Sequence, residues 1–142
     1  MTNSAESFMS MPTEGTRTRA LAIGFWIFTG LFCLEMGFTA YYMLFRLPEG
    51  AQAINRLGFP SYFRVELACA KLLGVAVLLA PVPARLKEWA YAGFAINLVS
   101  ALIAHLSLRE GPAALAPSTI TSVLWVFSYL LWRRMQAPAG NA

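Results

Sequence analysis

The sequence predicts an all-α protein, a four-helix transmembrane bundle that runs up-down-up-down. Three observations predict it. Four apolar stretches, at about residues 20–47, 63–81, 89–108 and 113–132, fill most of the 142 residues, and each is close to the ~20 residues that a helix needs to cross a bilayer core. Only 13% of residues are charged against 58% hydrophobic, whereas a soluble domain carries about a quarter charged residues. The short gap between the second and third stretches implies an antiparallel hairpin, the unit from which such bundles are built.

The elements follow in order. Residues 1–16 are polar, contain no signal-peptide core, and read as a disordered tail. Residues 17–135 read as one transmembrane domain and residues 136–142 as a flexible C-terminal tail. The first apolar run is too long for a signal-peptide core and lacks a small-residue cleavage site, so it is expected to persist as the first helix. Thr16 or Thr18 is expected to cap it, and Pro48-Glu49-Gly50 to end it. Ala51–Gly58 reads as a short interfacial helix. Gly58-Phe59-Pro60-Ser61 is a turn signal, with Ser61 as a cap for the second helix. Pro81-Val82-Pro83 stops that helix, and Gly111-Pro112 separates the third from the fourth. Trp89, Tyr91, Trp125, Tyr129, Trp132, Tyr41, Tyr42 and Tyr62 mostly fall near span ends, the positions of an aromatic belt.

Membrane helices pack through small residues, because lipid supplies no hydrophobic force between them. On the first helix Gly30, Cys33, Gly37 and Ala40 form such a seam, and Glu35 points almost opposite Gly37. The second helix groups Lys71 with Leu67, Gly74 and Leu78. The third repeats Gly93, Asn97, Ala101 and His105 at intervals of four. The fourth shows Ser118, Ser122, Trp125, Tyr129 and Trp132 along one side.

Charges inside the spans are where function is sought, since an unpaired charge in hydrocarbon costs several kcal/mol. At ~1.5 Å of rise per residue, Glu35, Glu66, Lys71 and His105 fall in the same half of the membrane. Lys71 is expected to pair with Glu35 or Glu66 and fix helix packing, or the set forms a pocket that binds a polar head group such as a quinone or relays a proton. Snorkelling of Lys71 to the interface is the third reading. Glu35, Lys71 and His105 are the catalytic candidates. Glu35, Glu66, Lys71, Asn97 and His105 are the ligand-binding candidates. Haem fits less well than quinone, because His105 is the only histidine and a single donor makes a weak site. No metal site is expected. Cys33 and Cys69 differ in depth, form no CxxC pair, and read as packing residues.

The net charge of +4 does not indicate nucleic-acid binding. The basic residues mark topology instead. Arg17, Arg19, Arg85, Lys87, Arg133 and Arg134 outnumber Arg46, Arg56, Arg64 and Arg109 on the opposite connections, which favours both termini in the cytoplasm. The chain has no Asp and none of the nucleophile-elbow, phosphate-loop or zinc-protease motifs of soluble enzymes.

Several blocks carry a resemblance. Leu57-Gly58-Phe59-Pro60-Ser61-Tyr62-Phe63 leads into Ala70-Lys71-Leu72-Leu73-Gly74, then Leu78-Leu79-Ala80-Pro81 and Arg85-Leu86-Lys87-Glu88-Trp89-Ala90-Tyr91-Ala92-Gly93-Phe94, closing at Ser100-Ala101 and His105-Leu106. Over roughly residues 20–134 the chain resembles the DoxX-like family of small bacterial four-helix membrane proteins. The resemblance implies a bacterial inner-membrane protein. It is similar to DoxX and DoxD proteins, some of which are subunits of quinone-linked sulfur oxidation or of membrane oxidoreductase complexes, while others resemble assembly factors. Lys71, Glu88, Asn97 and His105 stand at motif positions. The first functional expectation is an accessory or quinone-interacting subunit of a membrane redox system, with redox partner subunits or a homo-oligomer embedded in the lipid bilayer. The alternatives are a small membrane isomerase or oxidoreductase acting on a lipophilic substrate, with Glu35 as its general acid or base, and a structural or assembly protein.

Overall fold

The computed structural model describes residues 12–45, 52, 55–109 and 111–137, with side chains from residue 15 onward. Four helices make up the bundle: α1 (Pro12–Phe45), α2 (Ser61–Leu79), α3 (Ala84–Ser107) and α4 (Pro112–Gln136). No strand occurs among the described residues.

Proline sets several helix starts. α1 begins at Pro12, so Thr16 and Thr18 lie inside the helix rather than capping it. Proline is at home in a first turn, where its missing N–H has no partner to lose. Pro60 takes the N-cap position of α2 in extended geometry, and Ser61 is the first helical residue without a side-chain capping bond. Pro83 and Gly111 hold the same position before α3 and α4. The turn before α2 closes at Gly58, whose φ of 77° suits glycine because it has no Cβ to clash. Gln52, Asn55 and Arg56 are helical before this turn, to which Leu57 and Gly58 belong; Ala51, Ala53 and Ile54 of the expected interfacial helix, and Pro48-Glu49-Gly50, lie outside the described residues. Pro117 sits inside α4, where one ladder bond is missing, and the Thr121 hydroxyl bonds the Pro117 carbonyl at 2.8 Å.

Contacts fix the topology. Gly24 meets Leu131, and Phe28 stacks on Phe127 with centroids 5.1 Å apart, so α1 and α4 are antiparallel. Arg64 reaches Met43, and Lys71 reaches Thr39, so α1 and α2 are antiparallel. Gly74 against Phe94, and Lys87 against Leu78, give the same for α2 and α3. Tyr91 against Ser128, and Glu88 against Arg133, give it for α3 and α4. The bundle is up-down-up-down. One end gathers the start of α1 and the α2–α3 turn; the other gathers the α1 end, the α2 start and the α3–α4 turn.

The core is aromatic. Phe25, Phe32, Met36, Leu78, Tyr91, Phe94, Leu98 and Trp132 are buried together. Phe32 meets Phe94 edge-on at 5.0 Å, a favoured arrangement of the ring quadrupoles. Tyr91 and Trp132, expected in an interfacial belt, belong to this core, with ring centroids 5.5 Å apart. Their burial is possible because Tyr91 keeps its hydroxyl bonded to Ser128. Trp89, Tyr41 and Tyr62 are exposed. The expected small-residue seam of α1 is buried at Cys33 and Ala40 but not at Gly30 and Gly37. A Cβ on Gly30 or Gly37 would meet nothing within 4 Å, and the buried stripe is Phe25, Thr29, Phe32, Cys33, Met36 and Ala40. Large aromatic residues, not backbone contact, fill the space between α1 and its neighbours.

The outward surface is apolar. Leu34, Phe38, Leu73, Trp89 and Ile96 are each more than 60% exposed, a distribution suited to lipid and costly in water. Three helices are long and apolar enough to cross a membrane: α1 over Gly15–Phe45, α3 and α4. α2 is set apart by Arg64, Glu66 and Lys71. Its 19 residues reach about 28 Å at the helical rise, close to the bilayer core thickness, and it packs between α1 and α3. The protein is an integral membrane helical bundle.

Candidate functional site

The α2–α3 pair is the less tightly closed side of the bundle. Aromatic packing joins α1 to α4 and α3 to α4, whereas between α2 and α3 the small residues Ala70, Ala90, Gly93 and Ala101 stand among larger apolar ones. Where both helices carry small residues the groove stays open. It holds two chambers. The larger is a half-open groove of about 900 Å³ that extends to the end where α3 and α4 turn, between Phe59 and Phe63 on one side and Ile96 and Ile103 on the other. The smaller encloses about 310 Å³ and extends toward the α2–α3 turn, between Leu73, Val77, Leu86, Trp89 and Phe94. Leu67, Lys71, Gly93 and Asn97 line both and form a waist. Both volumes fall in the range of small-molecule sites.

The polar groups of the cleft come from the stripes expected on α2 and α3. Lys71, Asn97 and His105 line the larger chamber together. Gly93, Asn97, Ala101 and His105, spaced one turn apart, form its α3 wall. Lys71 is half-buried, and its Nζ donates to Thr39 Oγ1 at 3.4 Å; that hydroxyl donates to the Met36 carbonyl at 3.0 Å. Arg56, Gln52, Ser100 and Ser107 also line the chamber. No acid lines it among the described residues.

Glu35 and Glu66 are placed differently. Glu35 lies on the α1 side of Lys71, within electrostatic reach of it. No ion pair within 4 Å joins them, and Glu35 Oε2 is buried without a hydrogen-bond partner. The expected Lys71 salt bridge is therefore replaced by a longer-range attraction plus the Thr39 bond. Glu66 is exposed on α2 and outside the cleft. Glu88, at the start of α3, meets Arg133 at 3.4 Å on the surface, a pair of little energetic weight. Cys33 is buried and Cys69 exposed; both are free thiols. Among the described residues no three His, Cys, Asp or Glu side chains group together as metal ligands.

Two polar features escaped the sequence reading. Thr29 Oγ1, Ser128 Oγ and Tyr91 Oη form a buried chain with two bonds of 2.7 Å, and Trp125 Nε1 donates to the Tyr91 carbonyl at 3.2 Å. These link α1, α3 and α4 in the half of the bundle opposite the large chamber. The spacing of Ser128 from Trp125 and Trp132 was the available signal, since it continues their stripe. Arg64, read as a topology marker, is buried; its Nη1 donates to the Met43 carbonyl in the last turn of α1, while Nε lacks a partner. A cation there complements the negative end of the helix dipole.

The DoxX-like family matches residues 27–127 of the chain, from the middle of α1 into α4. That stretch contains the whole of α2 and α3 and the cleft between them. No curated protein and no solved structure matches the chain. With the match covering most of its length and all of its cleft, the chain belongs to the DoxX-like family.

Proposed function

We propose that the α2–α3 cleft receives the polar head of a lipophilic ligand of the quinone class, and that the protein is an accessory, quinone-interacting subunit of a membrane redox system. The observation that carries this reading is the convergence of Lys71, Asn97 and His105 on one apolar-walled chamber that opens on the outer face of the bundle. A quinone ring offers carbonyl oxygens that only accept hydrogen bonds. The chamber offers an ammonium, an amide and an imidazole as donors, with the Ser100 hydroxyl. Bonds from charged donors are the stronger ones, and a low-dielectric setting strengthens them further. Glu35 attracts Lys71 from the α1 side, and Lys71 Nζ donates to Thr39 Oγ1 there.

This reading puts the protein in a bacterial inner membrane as a multi-pass protein with both termini cytoplasmic. Arg85, Lys87, Arg133 and Arg134 lie at the end where α1 begins, and Arg56, Arg64 and Arg109 at the other, which supports that orientation. Partner redox subunits, or a second copy of the chain, would cover part of the exposed apolar surface.

The test is equilibrium binding of decylubiquinone to the detergent-purified protein, followed by quenching of tryptophan fluorescence. Saturable binding is expected, weakened about tenfold or more in Lys71→Met, the equivalent of one charged hydrogen bond. In membranes, quinone-dependent electron flow should fall with the same variant. No saturable binding, or equal affinity in Lys71→Met, overturns the reading.

A further inference from the structure

We propose that the smaller chamber is a tail-binding subsite, which takes the hydrocarbon chain of the ligand whose head occupies the larger one. The inference rests on the larger chamber being the ligand site, and it adds which way the ligand lies. The head points to the end where α3 and α4 turn, and the chain runs along the α2–α3 groove toward the α2–α3 turn.

Three observations carry it. The two chambers share Leu67, Lys71, Gly93 and Asn97, so a molecule crossing that waist touches both. Polarity changes at the waist. On the large side stand Arg56, Ser100 and His105; beyond Lys71 and Asn97, the small chamber has only apolar walls, including Leu73, Val77 and Trp89. A gradient of that kind suits an amphiphile with one polar end and an alkyl or prenyl chain. The passage is also open. A Cβ built on Gly93 would meet nothing within 4 Å, whereas one on Gly74 would come within 2.7 Å of the Phe94 ring. Gly74 thus lets Phe94 close the inner wall, while Gly93 leaves the waist clear. A chain held in this groove stays level with surrounding lipid chains, so the head is presented to Lys71 at a set depth.

The experiment uses two photoreactive decyl-benzoquinones, one with a diazirine at the chain end and one with it beside the ring, crosslinked to the full-length protein and mapped by mass spectrometry. The chain-end probe is expected on Val77, Ala90 or Phe94, the less exposed residues of the smaller chamber, and the ring probe on residues 100–108. In Ala90→Phe, at a residue that lines only the smaller chamber, that chamber is filled from α3, so chain-end adducts in it should be lost while ring adducts remain. Val77→Trp, which fills the chamber from α2, should do the same. Ring adducts in the cleft together with chain-end adducts spread over exposed lipid-facing residues such as Leu34 and Ile120 would overturn the tail subsite and leave the head site standing. Absence of both adducts from the cleft would overturn the subsite and the proposed function together.

Discussion

At the residue scale, two sites carry most of the specific information. Ser128 joins Thr29 and Tyr91 in a fully buried chain. Ser128→Ala removes the shared partner and leaves two hydroxyls in an apolar core, so it should cost about 1–3 kcal/mol. Thermal unfolding in detergent checks this. Gly74 is the second. Its Cβ would overlap the Phe94 ring, so Gly74→Ala should destabilise by about 1–3 kcal/mol through overpacking, while Gly93→Ala should be near neutral. Equal melting shifts for the two glycines would contradict the packing described here. The sequence made Lys71, Asn97 and His105 legible because polar residues inside apolar spans stand out against their background. It left Thr29 and Ser128 unread because a hydroxyl in a membrane helix can bond its own helix, as Ser122 bonds the Ser118 carbonyl at 2.7 Å. Only the fold distinguishes that bond from one that crosses helices. Glu66 is a candidate by its charge and depth, but the next residue, Leu67, lines the cleft and Glu66 faces away from it.

At the element scale, the helices themselves were plain from length and apolar content, because a bilayer demands both. Their faces were less plain. Small residues on α1 predicted a close seam, but Phe25, Phe32 and Met36 hold its neighbours away from Gly30 and Gly37. On α3, by contrast, the regular spacing of Gly93, Asn97, Ala101 and His105 was a true guide to one wall of the cleft. α2 is the unusual element, with three charged residues in a helix that the bundle shelters on two sides. Arg64 illustrates how it is anchored: its guanidinium bonds the last turn of α1. Arg64→Ala should loosen the α1–α2 contact and lower stability by about 1–3 kcal/mol through the unpaired carbonyl. The same detergent melts would read it, with Arg133→Ala as a surface comparison expected to change little.

At the scale of the whole molecule, α1 packs closely against both α4 and α2, and an open groove runs between α2 and α3. The aromatic core and the Thr29–Ser128–Tyr91 chain lie inward, while Lys71, the sequence's only histidine and the cleft lie along the α2–α3 groove. Lys71 lies outside the buried aromatic core, so Lys71→Met should alter binding more than melting temperature. The proposed orientation is tested by single cysteines at Arg56 and Pro83 in a cysteine-free background, labelled from outside intact spheroplasts. The cysteine at 56 should react and that at 83 should not; the reverse pattern would invert the protein. The most direct test of the central claim is a native mass spectrum of the protein released from its own membranes, wild type beside Lys71→Met. The account predicts a discrete retained mass of a lipophilic molecule on the wild type that is lost from the variant. A wild type that carries no such mass, or a variant that carries the same one, would contradict it.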